Sequence, residues 1–191
     1  MTTRRRLSTD DRRAELLEAG KRLFAEAAFD HIRTGDLARL TGTSTGLLYH
    51  YFGHKRGYYV ATMRHVADEV LAATTPPPDA PLLPAVAGAL DRFLAYVTAH
   101  EAIYRALMRG GIGSDAEVQA IVESVRRALV DRVAERLPAP ADALATLRIY
   151  GWIGFVEFVV MDWLETRSVP AEALPPLLLD ALLRILRPKE S

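Results

Sequence analysis

Apolar positions recur at helical spacing almost from the start of the chain. Ser8-Thr9-Asp10-Asp11 is a capping-box pattern, and Leu16, Leu17, Leu23, Phe24 and Ala27 follow on one face. This predicts a first helix over about Thr9–Ala27. Gly20 lies inside it and weakens it by up to about 1 kcal/mol relative to alanine, unless close packing needs a glycine there. A second helix is predicted from Thr34, carrying Leu37, Ala38 and Leu40 inward until Gly42 breaks it. Ser44 can cap a short third helix over Thr45–Tyr51, Gly53 interrupts again, and a fourth runs from Lys55 into the early seventies. Thr74–Pro81, with four prolines, cannot be helical. Beyond it, helices are predicted over Pro84–Ala99 and Glu101–Arg109. Another should run from a Ser114-Asp115-Ala116-Glu117 capping box to Leu137, and the last two over Ala141–Thr166 and Pro175–Arg187. No stretch alternates with period two over a useful length, and no internal repeat is visible, so the expected fold class is all-α with about nine helices.

Composition narrows the picture. Half of the 191 residues are hydrophobic and a quarter are charged, which favours a packed core over disorder. Cysteine is absent, so disulfides, thiol nucleophiles and cysteine-metal sites are excluded, in keeping with a reducing cytoplasm. Met1–Leu7 is basic, but an amphipathic segment follows it and not an apolar one, so no secretory leader is expected. The formal net charge is zero, yet unevenly spread. Met1–Arg56 carries 11 Lys/Arg against 7 Asp/Glu, and the remainder 13 against 17. A basic front and an acidic back suggest that only the front meets a polyanion, although so small an excess also arises by chance.

Thr34–Tyr51 reads as helix, glycine-containing turn, helix, the unit whose second helix enters a DNA major groove. Thr43, Ser44, Thr45, Tyr49, His50 and Tyr51 crowd hydrogen-bonding side chains into nine positions. The third helix's N-terminus offers free N–H groups to a phosphate, and Gly46 leaves room for close approach. Lys55, with Arg56 beside it, supplies a point charge for the DNA backbone. Leu48 and Phe52 should point into a three-helix core with Phe24, Leu37 and Leu40. The plainer alternative is a small helical bundle whose aromatics simply pack. The basic arm Thr2–Arg6 can reach a groove or a phosphate, or remain solvated.

The run from Phe24-Ala25-Glu26 through Phe29, Asp36-Leu37-Ala38 and Thr41-Gly42-Thr43-Ser44-Thr45-Gly46-Leu47-Leu48-Tyr49-His50-Tyr51-Phe52-Gly53-His54-Lys55 closely resembles the TetR family of repressors. The resemblance covers about the first sixty residues and is most specific from Gly42 to Lys55. It implies a helix-turn-helix DNA-binding domain over residues 1–56 and a ligand-binding and dimerisation domain over residues 57–191. It further implies a homodimer on a palindromic double-stranded operator, released by a small, lipophilic inducer. Carried over by position, Thr34 matches a contact at the start of the second helix, and Thr45, Gly46 and Leu47 match base-reading positions. Tyr49 and Tyr51 match groove or phosphate contacts, and Lys55 the phosphate-binding lysine. Thr45 stands where the family often has lysine, Ala28 where it often has glycine, and Arg33, which can add a phosphate contact, where it often has a small hydroxyl. Gly57 stands where the family usually has an acidic or helix-favouring residue. It is read here as a tolerated glycine that softens the fourth helix.

In the back half, the Ala141–Thr166 segment is apolar nearly all round except for a stripe of Arg148, Asp162 and Thr166, as expected for a helix buried on two sides. One side can face its own domain and the other, with the leucine-rich last helix, a second chain. A membrane span is not expected, because Glu157 and Asp162 interrupt the run before about 18 apolar residues. Phe93, Tyr96, Tyr104, Met108, Trp152 and Phe155 are candidate ligand-lining residues, each of which could equally fill a core. Glu157 falls inside the apolar arc and needs a partner. The candidates are an arginine or hydroxyl from a neighbouring helix or the other subunit, or a donor on the inducer. His65 and His100 read as structural or surface residues, and no metal or cofactor is expected. No phosphate-binding glycine loop, paired-carboxylate signature or Ser/His/Asp arrangement suggests an enzyme. A helical interaction module without DNA binding is the second alternative.

Overall fold

The computed structural model describes residues 8–110 and 115–187. The Thr2–Arg6 arm and Ser114 therefore lie outside the described residues. Nine α-helices and no strand are present among those described: α1 (Thr9–Glu26), α2 (Thr34–Thr41), α3 (Thr45–Phe52), α4 (Lys55–Ala73), α5 (Leu82–Ala99), α6 (Glu101–Arg109), α7 (Ala116–Ala134), α8 (Ala143–Thr166) and α9 (Leu174–Leu186). Two short 3-10 turns, Phe29–His31 and Ala171–Ala173, are additional, too brief to leave a periodic pattern.

Two compact units result. One gathers the residues up to Ala67 with Ala102–Ile121, and the other Asp68–Glu101 with the residues from Val122 onward. In the first unit, Leu16, Phe24, Leu37, Leu48, Tyr58 and Met63 form the core. The Ser8 capping box starts α1, its hydroxyl accepting from the Asp11 N–H at 3.1 Å. The Tyr58 hydroxyl donates to the Leu16 carbonyl at 2.5 Å, and burial pushes its ionisation well above the ordinary tyrosine value. Gly20 is where α1 meets α4, since a Cβ there would lie 2.4 Å from Thr62 Oγ1. Close packing therefore does need this glycine. Leu40, expected inward, is 46% exposed, because α2 is only two turns long and Leu37 alone reaches the core.

In the second unit, α8 packs on α9 and α9 on α5. Trp152 is buried and its indole N–H donates to the Leu178 carbonyl at 2.8 Å. The C-terminal end of α4 is closed by two arginines. Arg92 Nε donates to the Ala73 carbonyl at 2.8 Å and Arg132 Nη1 to the Leu71 carbonyl at 2.8 Å, placing cations at the negative end of the helix dipole. By length and composition alone, Leu82–Ala99 and Ala143–Thr166 are each long and apolar enough to cross a membrane.

Candidate nucleic-acid interface

Helices α2 and α3 are joined by a tight turn at Gly42, which adopts φ +67°, a left-handed conformation that ends α2. Ser44 is the N-cap of α3, its hydroxyl accepting from the Leu47 N–H at 3.1 Å. That cap uses one of the free donors at the N-terminus of α3. Leu48 is fully buried and anchors α3. Around it Ser44, Gly46 and His50 are exposed, while Thr43, Thr45, Leu47, Tyr49 and Tyr51 are half-exposed. Thr34 and Arg33 are exposed at the start of α2, where Arg33 occupies the N-cap position without a side-chain cap. Each of these expected positions is therefore at least partly accessible, while Leu48 is buried.

The α3–α4 connection is tighter than the sequence suggests. Gly53 sits at φ +77°, ψ −58°, a γ-turn in which the His54 N–H donates to the Phe52 carbonyl at 2.9 Å. The same carbonyl oxygen lies 2.1 Å from where a Gly57 Cβ would stand. Gly57 is therefore required by a close backbone approach and is not merely tolerated. Its N–H donates to His54 Nδ1 at 3.0 Å, so histidine takes the capping place at the start of α4. Lys55 lies with Nζ 4.1 Å from the Phe29 ring centroid, an attraction that holds its stem while keeping its charge.

Arg56 has a different role from the one expected. Its guanidinium bonds both carboxylate oxygens of Asp115, at 2.7 and 2.9 Å, and Glu117 at 2.7 Å. It is thus committed to the start of α7 and is not a free phosphate contact. Asp115 also accepts from the Glu117 N–H at 3.0 Å at the start of α7. Burial pushes the Asp115 carboxyl up, but the Arg56 and backbone donors more than offset it, and it is held below the usual aspartate range. The Arg56 fork was missed because its partners lie about sixty residues away and i,i+4 logic does not reach them.

Phe93, Tyr96, Trp152 and Glu157 belong to the second unit, Tyr104 and Met108 to the first. Phe93, Tyr104, Met108 and Trp152 are buried, and the Tyr96 hydroxyl donates to Glu69 at 2.8 Å. Phe155 departs from expectation, being 41% exposed on the outer side of α8, among neighbours that are also exposed. Glu157 meets an arginine of its own chain. Arg126 on α7 reaches it with contacts of 2.8 to 3.1 Å. Burial pushes the Glu157 carboxyl up by more than Arg126 pulls it down, while Arg126 is held protonated by Glu157.

A two-helix unit with a buried anchor and a polar recognition helix, on a short-helix head, defines a helix-turn-helix DNA-binding transcription regulator. Comparison with known proteins gives the particular family. Residues 85–185 match the tetracyclin repressor-like C-terminal domain, and residues 16–57 match the bacterial regulatory proteins of the tetR family. The chain belongs to the TetR family. A 64-residue stretch is 44% identical to the HTH-type transcriptional regulator BetI of Burkholderia ambifaria, spanning 34% of this chain and 33% of that one. The fold is similar to that of a tetR-family transcriptional regulator from Streptomyces coelicolor, with TM-score 0.81 and 26% identity over 94% of this chain and 82% of that one. The transcriptional regulator FadR from Bacillus subtilis, solved in complex with stearoyl-CoA, shares the fold at 14% identity, with TM-score 0.72 over 92% of this chain and all of that one.

Proposed function

We propose that this chain is a cytoplasmic, ligand-responsive repressor that binds a palindromic operator as a homodimer and leaves it when a small, lipophilic inducer binds. The observation that carries the reading is the accessible rim of α3, with its open N-terminus, around the buried Leu48. On this reading Thr45, Gly46 and Leu47 read base edges. Thr34, Thr43, Ser44, Tyr49, His50 and Tyr51 contact groove or backbone, and Arg33 and Lys55 hold phosphates. Residues 1–56 form the DNA-binding part and residues 57–191 the effector part, with Phe93, Tyr96, Tyr104, Met108 and Trp152 the inducer-facing candidates. The Arg56 fork ties the first turn of α4 to the start of α7 and gives the effector part a handle on the head.

Dimerisation is supported by large apolar side chains left open on α8 and α9. Leu147 is 65% exposed, Phe158 79% and Leu177 52%, apolar surface that a second chain would bury favourably. A partner chain covers this apolar surface without invoking a bilayer.

The test is an electrophoretic shift with DNA from just upstream of the chain's own gene, over a salt series. Wild type should bind with affinity falling steeply as salt rises. Tyr49→Ala and Lys55→Ala should weaken binding broadly, and Thr45 or Leu47 substitutions should change which bases are preferred. Wild-type protein that shows no salt-dependent shift would instead mark a helical interaction module without DNA binding.

A further inference from the structure

The outer face of α8 carries a self-complementary pattern. Its exposed positions recur at helical heptad spacing: Leu144, Leu147, Gly151, Gly154, Phe158 and Asp162. At about 100° per residue, Gly151 and Phe158 run along the middle of this stripe, and Arg148, Phe155 and Asp162 form one edge, seven residues apart. Gly151 and Gly154 open onto empty space, with nothing within 4 Å of where a Cβ would stand. Phe158, 79% exposed, is the largest projection. Arg148 and Asp162, both on the stripe's edge, have no ion-pair partner among the described residues.

We propose that α8 crosses the α8 of a second copy antiparallel about a two-fold axis near Gly154–Phe155, so that Phe158 of each chain fills the gap over Gly151 of the other and Arg148 pairs with Asp162. The inference rests on the homodimer reading above and adds its register and its means of excluding other partners. An isologous interface requires that residue i meet j while j meets i. In an antiparallel pair such residues lie equally far on either side of the axis, and a two-fold axis keeps residues of one edge on the same edge. Gly151 and Phe158 are centred between residues 154 and 155, and Arg148 and Asp162 on Phe155. The two centres lie half a residue apart, about 0.75 Å along the helix, so one axis can serve both pairs. Knob meets hole, plus meets minus, and each pairing occurs twice. A parallel arrangement would set Phe158 against Phe158 and Asp162 against Asp162. A lipid surface would leave both charges without partners.

The test is a chain-swap experiment on the full-length protein, with dimer content read by sedimentation and partner choice by native mass spectrometry. Arg148→Glu and Asp162→Arg should each weaken their own homodimer about tenfold, since two attractions become two repulsions. Mixed together they should form the heterodimer well beyond the statistical half, because one pair regains its native sign and the other is restored with the sign inverted. A second, steric pair works independently. Gly151→Leu should weaken self-association, and mixing with Phe158→Ala should recover it, a result that a misfolded variant could not give. If wild type is a dimer but the single variants keep wild-type affinity and mix at random, the register is wrong and the dimer reading stands. A wild-type chain that stays monomeric overturns both.

Discussion

Removing either partner of the Arg126–Glu157 pair should destabilise the protein far more than removing both. The two side chains are 24% and 16% exposed, and three nitrogen-to-oxygen contacts of 2.8 to 3.1 Å join them. Breaking a fully buried pair by deleting one member costs about 3–5 kcal/mol, because a charge is left without its partner. Here Arg126 keeps some solvent and has Glu123 at 3.8 Å, so Glu157→Leu should cost about 2–3 kcal/mol. Arg126→Leu should cost a similar amount near neutral pH. The double leucine variant replaces the pair by apolar volume and should lie within about 1 kcal/mol of wild type, giving a coupling of about 3 kcal/mol or more. At about 2–4 °C per kcal/mol, the singles should melt clearly below wild type and the double close to it. All four proteins must be compared at one concentration, since self-association shifts apparent stability.

The pH dependence gives an independent sign. Burial raises the folded-state pKa of Glu157, and Arg126→Leu removes the group that holds it down. A carboxyl with a raised folded pKa contributes stability below its unfolded value, about 4.3, and loses it as pH rises through the folded value. Arg126→Leu should therefore approach wild type at acid pH and fall away from it as pH rises to 8. Singles that add up to the double, or a deficit independent of pH, would refute the assignment.

Three further predictions concern the head. Arg56→Ala should leave operator binding largely intact but blunt its release by inducer, measured as the inducer concentration that halves the shift. The same substitution removes the group that lowers the Asp115 pKa. A lowered folded pKa means stability present above the unfolded value, about 3.9, and lost as pH falls through the folded one. The stability gap between Arg56→Ala and wild type should therefore be open at pH 7 and close toward pH 3, by denaturant titration. Gly57→Ala should cost about 1–3 kcal/mol in chemical denaturation, because its Cβ would stand 2.1 Å from a backbone oxygen, whereas Gly46→Ala, with only Ser44 Oγ at 4.0 Å, should be near neutral.

What was legible in the sequence was whatever local spacing controls. The Ser8 box, the Ser44 cap, the Gly42 turn and the buried Leu37, Leu48 and Phe24 follow from periodicity and capping chemistry, and helix ends were placed within a few residues. Glu157 was legible as a buried carboxylate in need of a partner, though not which one. What escaped depends on tertiary approach. Gly57 looked like a soft spot because nothing in its neighbours announces that the Phe52 carbonyl folds back onto it. Leu40 and Phe155 are apolar yet exposed, and hydrophobic periodicity cannot tell a face that meets the chain's own core from one left open. Arg56 looked like another basic residue beside Lys55, because its acidic partners lie at the start of α7, three helices later.

The most direct measurement is selection of bound sequences from random double-stranded DNA by the full-length protein, with the stoichiometry of the selected complex read by sedimentation. The selected DNA should carry a two-fold symmetric site with half-site centres about one helical turn or more apart, occupied by an even number of chains. Enrichment of an asymmetric site bound by a single chain, or no enrichment at all, would contradict it.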